Sequence, residues 1–151
     1  MTRATAYATL ARVRDELESA RFALATIARR WDEHLAMAPT PGGRNLSVAD
    51  IRRCLDNLEL TYVSRLFATY ESILRDYWLI GIGRTTDPDV KPLMDSIARR
   101  RDMEPATLAA AHDVRDFRNK VMHRNVQALR IDFAQCSKAL GRYISWLPVQ
   151  W

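Results

Sequence analysis

Between Leu60 and Leu79 the apolar and aromatic side chains Tyr62, Val63, Leu66, Phe67, Tyr70, Ile73, Leu74, Tyr77 and Trp78 follow one another so densely that they nearly encircle a helix. A helix that is apolar on almost every side has to be covered on almost every side. The rest of the chain must therefore supply the cover. Nowhere do four or more residues alternate between apolar and polar and end in turn residues, so strands are not available for the task. The pattern predicts an all-α fold, an antiparallel helical bundle of five or six helices with a long N-terminal helix.

The remaining elements follow from the same periodicity. From Ala4 to about Met37, the apolar positions Tyr7, Leu10, Val13, Leu17, Phe22 with Leu24, Ile27, Trp31 and Leu35 recur at steps of three and four, with arginines and acids between them. The run Pro39-Thr40-Pro41-Gly42-Gly43 stops that helix. Ser47 with Asp50 three residues later reads as an N-cap opening a helix through about Leu58, and Asn57-Leu58-Glu59 is either a kink or a continuation into the apolar helix. Gly81 to Asp89 reads as a loop, with Asp87-Pro88 as a cap and first helical residue. A short helix to Arg101, a helix opening at Asp102-Met103-Glu104-Pro105 and ending near His123 to Asn125, and a last helix from about Ile131 to Trp146 complete the set. At 151 residues with no internal repeat, the chain is expected to form a single domain over 1–151.

Composition removes several function classes. No apolar run approaches the roughly 18 residues of a membrane span, and the N-terminus lacks the uninterrupted apolar segment of a signal peptide. The expectation is a cytoplasmic protein with no membrane partner. The two cysteines, Cys54 and Cys136, have no metal-ligand spacing and are expected to be reduced core residues. Without CxxC, HxxxH or HExxH patterns, no metal site and no cofactor are expected. The formal charge of +5 and a pI near 9.6, carried mostly by arginine, permit a nucleic-acid partner.

One stretch carries concentrated chemistry. His112 to Arg124, HDVRDFRNKVMHR, holds two of the three histidines, with Arg115, Arg118, Asn119, Lys120 and Arg124. Asn119 and His123 are four residues apart and share a helix face. Arg118 and His123 lie about 140° apart around an ideal helix. They serve one site only if the arginine stem wraps, the helix is near its end, or a second chain contributes. Histidine, with an ordinary pKa near ~6.5, is suited to proton transfer, and an arginine fork to a phosphorane. Two simpler readings stand beside this. His123 at a helix end can answer the C-terminal dipole, and His112 can be a surface or packing residue. Glu71 also has two pairings open: Arg115 or Arg118 across the bundle, which would orient the arginine, or Arg75 one turn on along its own helix.

Arg118-Asn119-Lys120-Val121-Met122-His123 has the form R-N-x-x-x-H on a late helix of a small α-bundle, and it resembles the signature of the HEPN superfamily. The long first helix, the aromatic central helix with Glu71 and the tail from Ser145 to Trp151 are similar to the RiboL-PSP-type HEPN proteins. The resemblance implies a metal-independent endoribonuclease that cleaves RNA by 2′-hydroxyl attack, with Arg118 and His123 catalytic and Asn119 supporting. Arg115, Lys120 and Arg124 would contact RNA. It also implies a homodimer that brings two motifs to one cleft, a toxin or phage-defence role, and a cognate antitoxin protein as partner. A catalytically inactive HEPN module that binds RNA or assembles with proteins is the alternative within the same fold.

Overall fold

The computed structural model describes residues 1–30, 47–122 and 132–151. Among the described residues there are five α-helices: α1 (Arg3–Arg30), α2 (Val48–Asp76), α3 (Val90–Arg100), α4 (Pro105–Met122) and α5 (Phe133–Ser145). Among the described residues there is no β-strand beyond one isolated bridge between Thr2 and Gln150, which lays the two chain ends side by side. The all-α bundle expected from the sequence is the observed architecture.

The apolar run beyond Leu60 is the middle of α2, and it does lie at the centre. Val63, Leu66, Phe67, Tyr70, Ile73 and Leu74 are all buried, and α2 packs on every other helix. Helix directions can be read from the contacts. Glu16 and Arg21 of α1 meet Arg65 (2.6 Å) and Glu59 (3.3 Å) of α2, so the two run antiparallel. Tyr7 donates to the Gly141 carbonyl at 3.1 Å while Arg3 reaches the Ser145 carbonyl at 2.7 Å, so α5 also opposes α1. Arg142 near the end of α5 meets Glu104 just before α4, which makes α4 and α5 antiparallel. α2 and α5 therefore lie between α1 and α4, and α3 closes the side formed by α2 and α4. One buried cluster draws side chains from all five helices.

Local chemistry fixes most of the boundaries. Ser47 caps α2, accepting from the Asp50 amide at 3.2 Å while the Asp50 carboxylate accepts from the Ser47 amide at 3.0 Å. Asn57-Leu58-Glu59 is not a kink: the helix runs through, and the Asn57 amide group bonds back to the Arg53 carbonyl. Asp132 and Gln135 form the same reciprocal box at the start of α5, which begins two residues later and ends one residue earlier than its sequence pattern suggests. α1 is described only to Arg30, so the expected stretch to Met37 and the Pro39–Gly43 stop fall outside the described residues.

Three expectations are corrected. Asp87-Pro88 does not open α3. Asp89 precedes the helix, while Asp87 and the Pro88 carbonyl are both taken by the Arg75 guanidinium. The competing ion pair removed Asp87 from capping. The supposed loop at Gly81 begins with a π-helical turn, Tyr77–Gly81, that extends α2. Gly81 is needed there because a Cβ would lie 2.4 Å from the Tyr77 ring and 2.8 Å from Trp151, which stacks edge-on against Tyr77. Cys136 is buried as expected, whereas Cys54 is exposed; both thiols are free.

Candidate functional site

α4 presents its polar side chains in successive turns: His112, then Arg115, then Arg118 with Asn119. Val114 and Phe117 between them are buried and fix the helix's rotation, so the polar residues are held at the edge of the core and not free in solvent.

His112 Nε2 lies 2.7 Å from the Asp95 carboxylate on α3, and its Nδ1 lies 3.5 Å from the Arg115 guanidinium. A hydrogen on Nε2 satisfies both contacts together, since Nδ1 is then free to accept. Arg115 in turn donates from Nε to Asp116 at 3.0 Å, and its Nη2 reaches the same oxygen. This cluster is therefore closed, with two carboxylates answering the arginine and the histidine.

Arg118 is held differently. Its guanidinium carbon sits 5.7 Å from the centre of the Phe67 ring on α2, over the face of a side chain that is itself buried. Nη1 donates to the Asn119 amide oxygen at 3.0 Å. Nε is buried and has no hydrogen-bond partner, and no described carboxylate pairs with the group. An arginine in this position keeps its full charge and unused donors, which is the condition for receiving an anion. Lys120, one residue beyond Asn119, is exposed.

Glu71 does not orient either arginine of α4. Its Oε1 accepts two bonds from Arg75, at 3.0 and 2.7 Å, and Arg75 continues to Asp87. The pairing along its own helix won because i, i+4 geometry holds the two groups together without a tertiary contact. His123 and Arg124 lie outside the described residues. So the structure brings together Arg118 and Asn119, adds Arg115 one turn away in a separate closed network, and separates Glu71 from all of them.

Two participants were not legible in the motif. Phe67 and Asp95 are far from it in the chain and reach it only through packing. Nothing in the local pattern around Phe67 distinguishes it from its apolar neighbours, and Asp95 looks like any acid on the polar face of a short helix. Among the described residues no three His, Cys, Asp or Glu side chains converge to hold a metal ion, and no helix is long and apolar enough to cross a membrane. Comparison of the chain with protein-family models, with curated proteins and with solved structures returns no match in any of the three.

Proposed function

We propose that the chain is a metal-independent, HEPN-type endoribonuclease acting on RNA by attack of a 2′-hydroxyl on its neighbouring phosphodiester. Arg118 binds and neutralises the phosphorane, Asn119 holds the Arg118 fork by its amide oxygen, and His123 transfers the proton. Arg115, Lys120 and Arg124 contribute to RNA contact around that centre. A toxin or phage-defence role, with a homodimer as the working form and a cognate antitoxin as its restraint, belongs to the same proposal.

The observation that supports the reading best is the state of Arg118: part-buried, resting on Phe67, with a buried donor unused and no described carboxylate to cancel its charge. A surface arginine on a solvated face would be expected to point into water. An arginine recruited only for stability would be expected to find an acid, as Arg75 and Arg115 do.

A second reading is favoured by the same contact seen from the other side. Stacking on Phe67 and bonding to Asn119 already gives Arg118 a packing role, which suits a HEPN module that binds RNA or protein without cutting. Incubation of the wild type, Arg118→Ala and His123→Ala with mixed single-stranded and transfer RNA in excess chelator separates the two. The nuclease reading expects cleavage by the wild type alone, leaving 2′,3′-cyclic phosphate ends. RNA bound and left intact by all three proteins would establish the binding module, and equal cleavage by all three would remove Arg118 and His123 from the chemistry.

A further inference from the structure

We infer that the cleft between α1 and α5 is a binding site for a small sugar-phosphate ester, a ligand of mononucleotide size or less. None of its residues takes part in the proposed RNA cleavage, so the site stands or falls independently of that reading.

The cleft encloses about 390 Å³. Small-molecule sites run from about 300 to 1,000 Å³, and this one lies within that range. Arg14, Glu18 and Arg21 recur on α1 at steps of four and three and so form one stripe. Ser137 and Lys138 face them from α5. Leu17 and Phe133, both side chains of the core, supply the apolar wall between the two helices.

Most polar groups of this cleft are unspent. Glu18 has Arg14 four residues before it and Arg21 three residues after it, yet it pairs with neither. Arg14 turns to Asp15 at 3.1 Å, and Arg21 to Glu59 at 3.3 Å. Glu59 is itself fixed, since it accepts from the Phe133 amide at 2.8 Å. It therefore holds Arg21 beside the start of α5 through Nη2 and leaves the other donors of the fork open. Arg14 and Asp15 are both more than half exposed, and their contact is easily exchanged. Lys138 has no partner among the described residues. Ser137 does not bond back to the carbonyl four residues earlier, as Ser19 and Thr69 do on their own helices, so its hydroxyl is available too.

These groups select the ligand. Three cations stand against one carboxylate in the lining, an excess of two positive charges. That excess matches a phosphate monoester, which carries nearly two negative charges at neutral pH, better than it matches a carboxylate. Arginine forks and a lysine are suited to its oxygens. Glu18 would repel a phosphate but accepts well from hydroxyl groups, which a sugar carries beside its ester. Inorganic phosphate would leave Glu18 unanswered and much of the volume empty. A sugar-phosphate ester satisfies both ends, with its anion among Arg14, Arg21 and Lys138, a hydroxyl at Glu18 and its carbon skeleton against Leu17 and Phe133.

Calorimetric titration of the full chain tests the site. The probes are adenosine 5′-monophosphate, ribose 5-phosphate, inorganic phosphate, and the phosphate-free adenosine and ribose. Both esters should bind saturably at millimolar concentration or below, inorganic phosphate at least about tenfold more weakly, and the phosphate-free pair not at all. Lys138→Ala removes a side chain that nothing described depends on, and should weaken both esters about tenfold, the loss of one charge-assisted contact. Glu18→Ala should narrow the gap between the esters and inorganic phosphate. Arg29→Ala, beyond the cleft on the same helix, and Arg118→Ala, on α4, should change neither. All but the last are at exposed positions, and unchanged helical circular dichroism would show that the fold is intact. The proposal is overturned if neither ester binds saturably, if adenosine and ribose or inorganic phosphate bind as tightly as the esters, or if Lys138→Ala binds like the wild type. A loss in Arg29→Ala or Arg118→Ala equal to that in Lys138→Ala would also overturn it, because overall charge or the α4 site would then hold the ligand. RNA cleavage enters none of these readouts, so the cleft and the nuclease reading can fail separately.

Discussion

Two neighbouring turns of α4 hold cationic side chains in opposite electrical circumstances. At the first, Asp116 answers the Arg115 charge, and His112 links Arg115 to Asp95 by hydrogen bonds. At the second, Arg118 rests on the Phe67 ring and an amide oxygen, with no described acid to oppose it. A cation already neutralised by its neighbours helps to hold helices together and has little attraction left for a ligand. One lodged against an aromatic face keeps its charge, at a cost the fold must carry elsewhere. The difference teaches that proximity within a motif is a poor guide to role, because Arg115 and Arg118 are one turn apart and are spent on different things.

The sharpest way to break that comparison is to remove each arginine in turn. Arg118→Ala should lower RNA cleavage by at least about 100-fold, the usual loss when a transition-state donor is deleted. Arg115→Ala should lower it less than about tenfold, as expected for the loss of one phosphate contact. Arg118→Lys should not restore the activity, because an ammonium lacks the fork that the Phe67 face and Asn119 hold flat. Initial rates in excess chelator measure all three, and equal losses at the two arginines would erase the distinction.

The contrast between answered and unanswered polar groups extends into the core, where two stacked tyrosines reproduce it. Tyr143 donates to the Met94 carbonyl at 2.7 Å and so ties α5 to α3. Tyr70, edge-on to it at 5.5 Å, has a buried hydroxyl with no well-formed hydrogen bond. Tyr143→Phe should destabilise the protein by about 1–1.5 kcal/mol, since it removes a buried bond to a carbonyl that keeps its own helical partner within α3. Tyr70→Phe should cost less than Tyr143→Phe, because the hydroxyl it deletes makes no well-formed hydrogen bond and meets only the Tyr143 hydroxyl. Urea unfolding of both variants beside the wild type would show whether satisfaction, and not burial alone, decides the cost.

A smaller effect is expected at the closed end of α4. Asp95→Ala should cost about 1 kcal/mol, the lower end for a charge-assisted bond, because the carboxylate is partly open to solvent. It should leave RNA cleavage unchanged. A fall in cleavage with unaltered stability would move His112 and Asp95 into the site and dissolve the division between the two turns.

The fold was legible where local rules and burial agreed. The encircling apolar run of α2 announced a central helix, and Ser47 with Asp50 announced its start, because capping is decided within four residues. Asp87-Pro88 misled because a partner twelve residues away claimed the aspartate. Cys54 misled because its residue type suggests a core position while its place on the helix does not: it lies beside Arg52 and Arg53 on the side of α2 that meets solvent. At the site, Arg118 and Asn119 were legible as neighbours in the chain. Phe67, which holds the arginine, was not, since a helix–helix contact decides which of several equivalent aromatics receives the guanidinium. Glu71 was ambiguous for the same reason, and the nearer partner took it.

Arg118 is also set apart from the titratable groups of the interior, which stay neutral and can be charged only at high pH. Burial, and then the negative charges of Asp132 and Glu59, push the Cys136 thiol up from near 9 to about 12. Burial raises Tyr143 and Tyr70 as well, in each case as the largest cause. In the unfolded chain these groups ionise at their ordinary values, so above about pH 9 the unfolded state releases protons that the folded state retains. Stability is therefore full below that pH and is lost as the pH rises through the window from about 9 towards 12. By half a unit to one unit above the unfolded thiol's value the loss should be on the order of 1 kcal/mol. Cys136→Ala should delay the onset of that decline despite its lower starting stability, and Tyr70→Phe should flatten the decline above about pH 10. Midpoints of thermal unfolding from pH 7 to the alkaline limit would register both shifts. A decline that begins at the same pH in Cys136→Ala as in the wild type would mean that the thiol is not what charges first, and that the interior yields at one of the tyrosines instead.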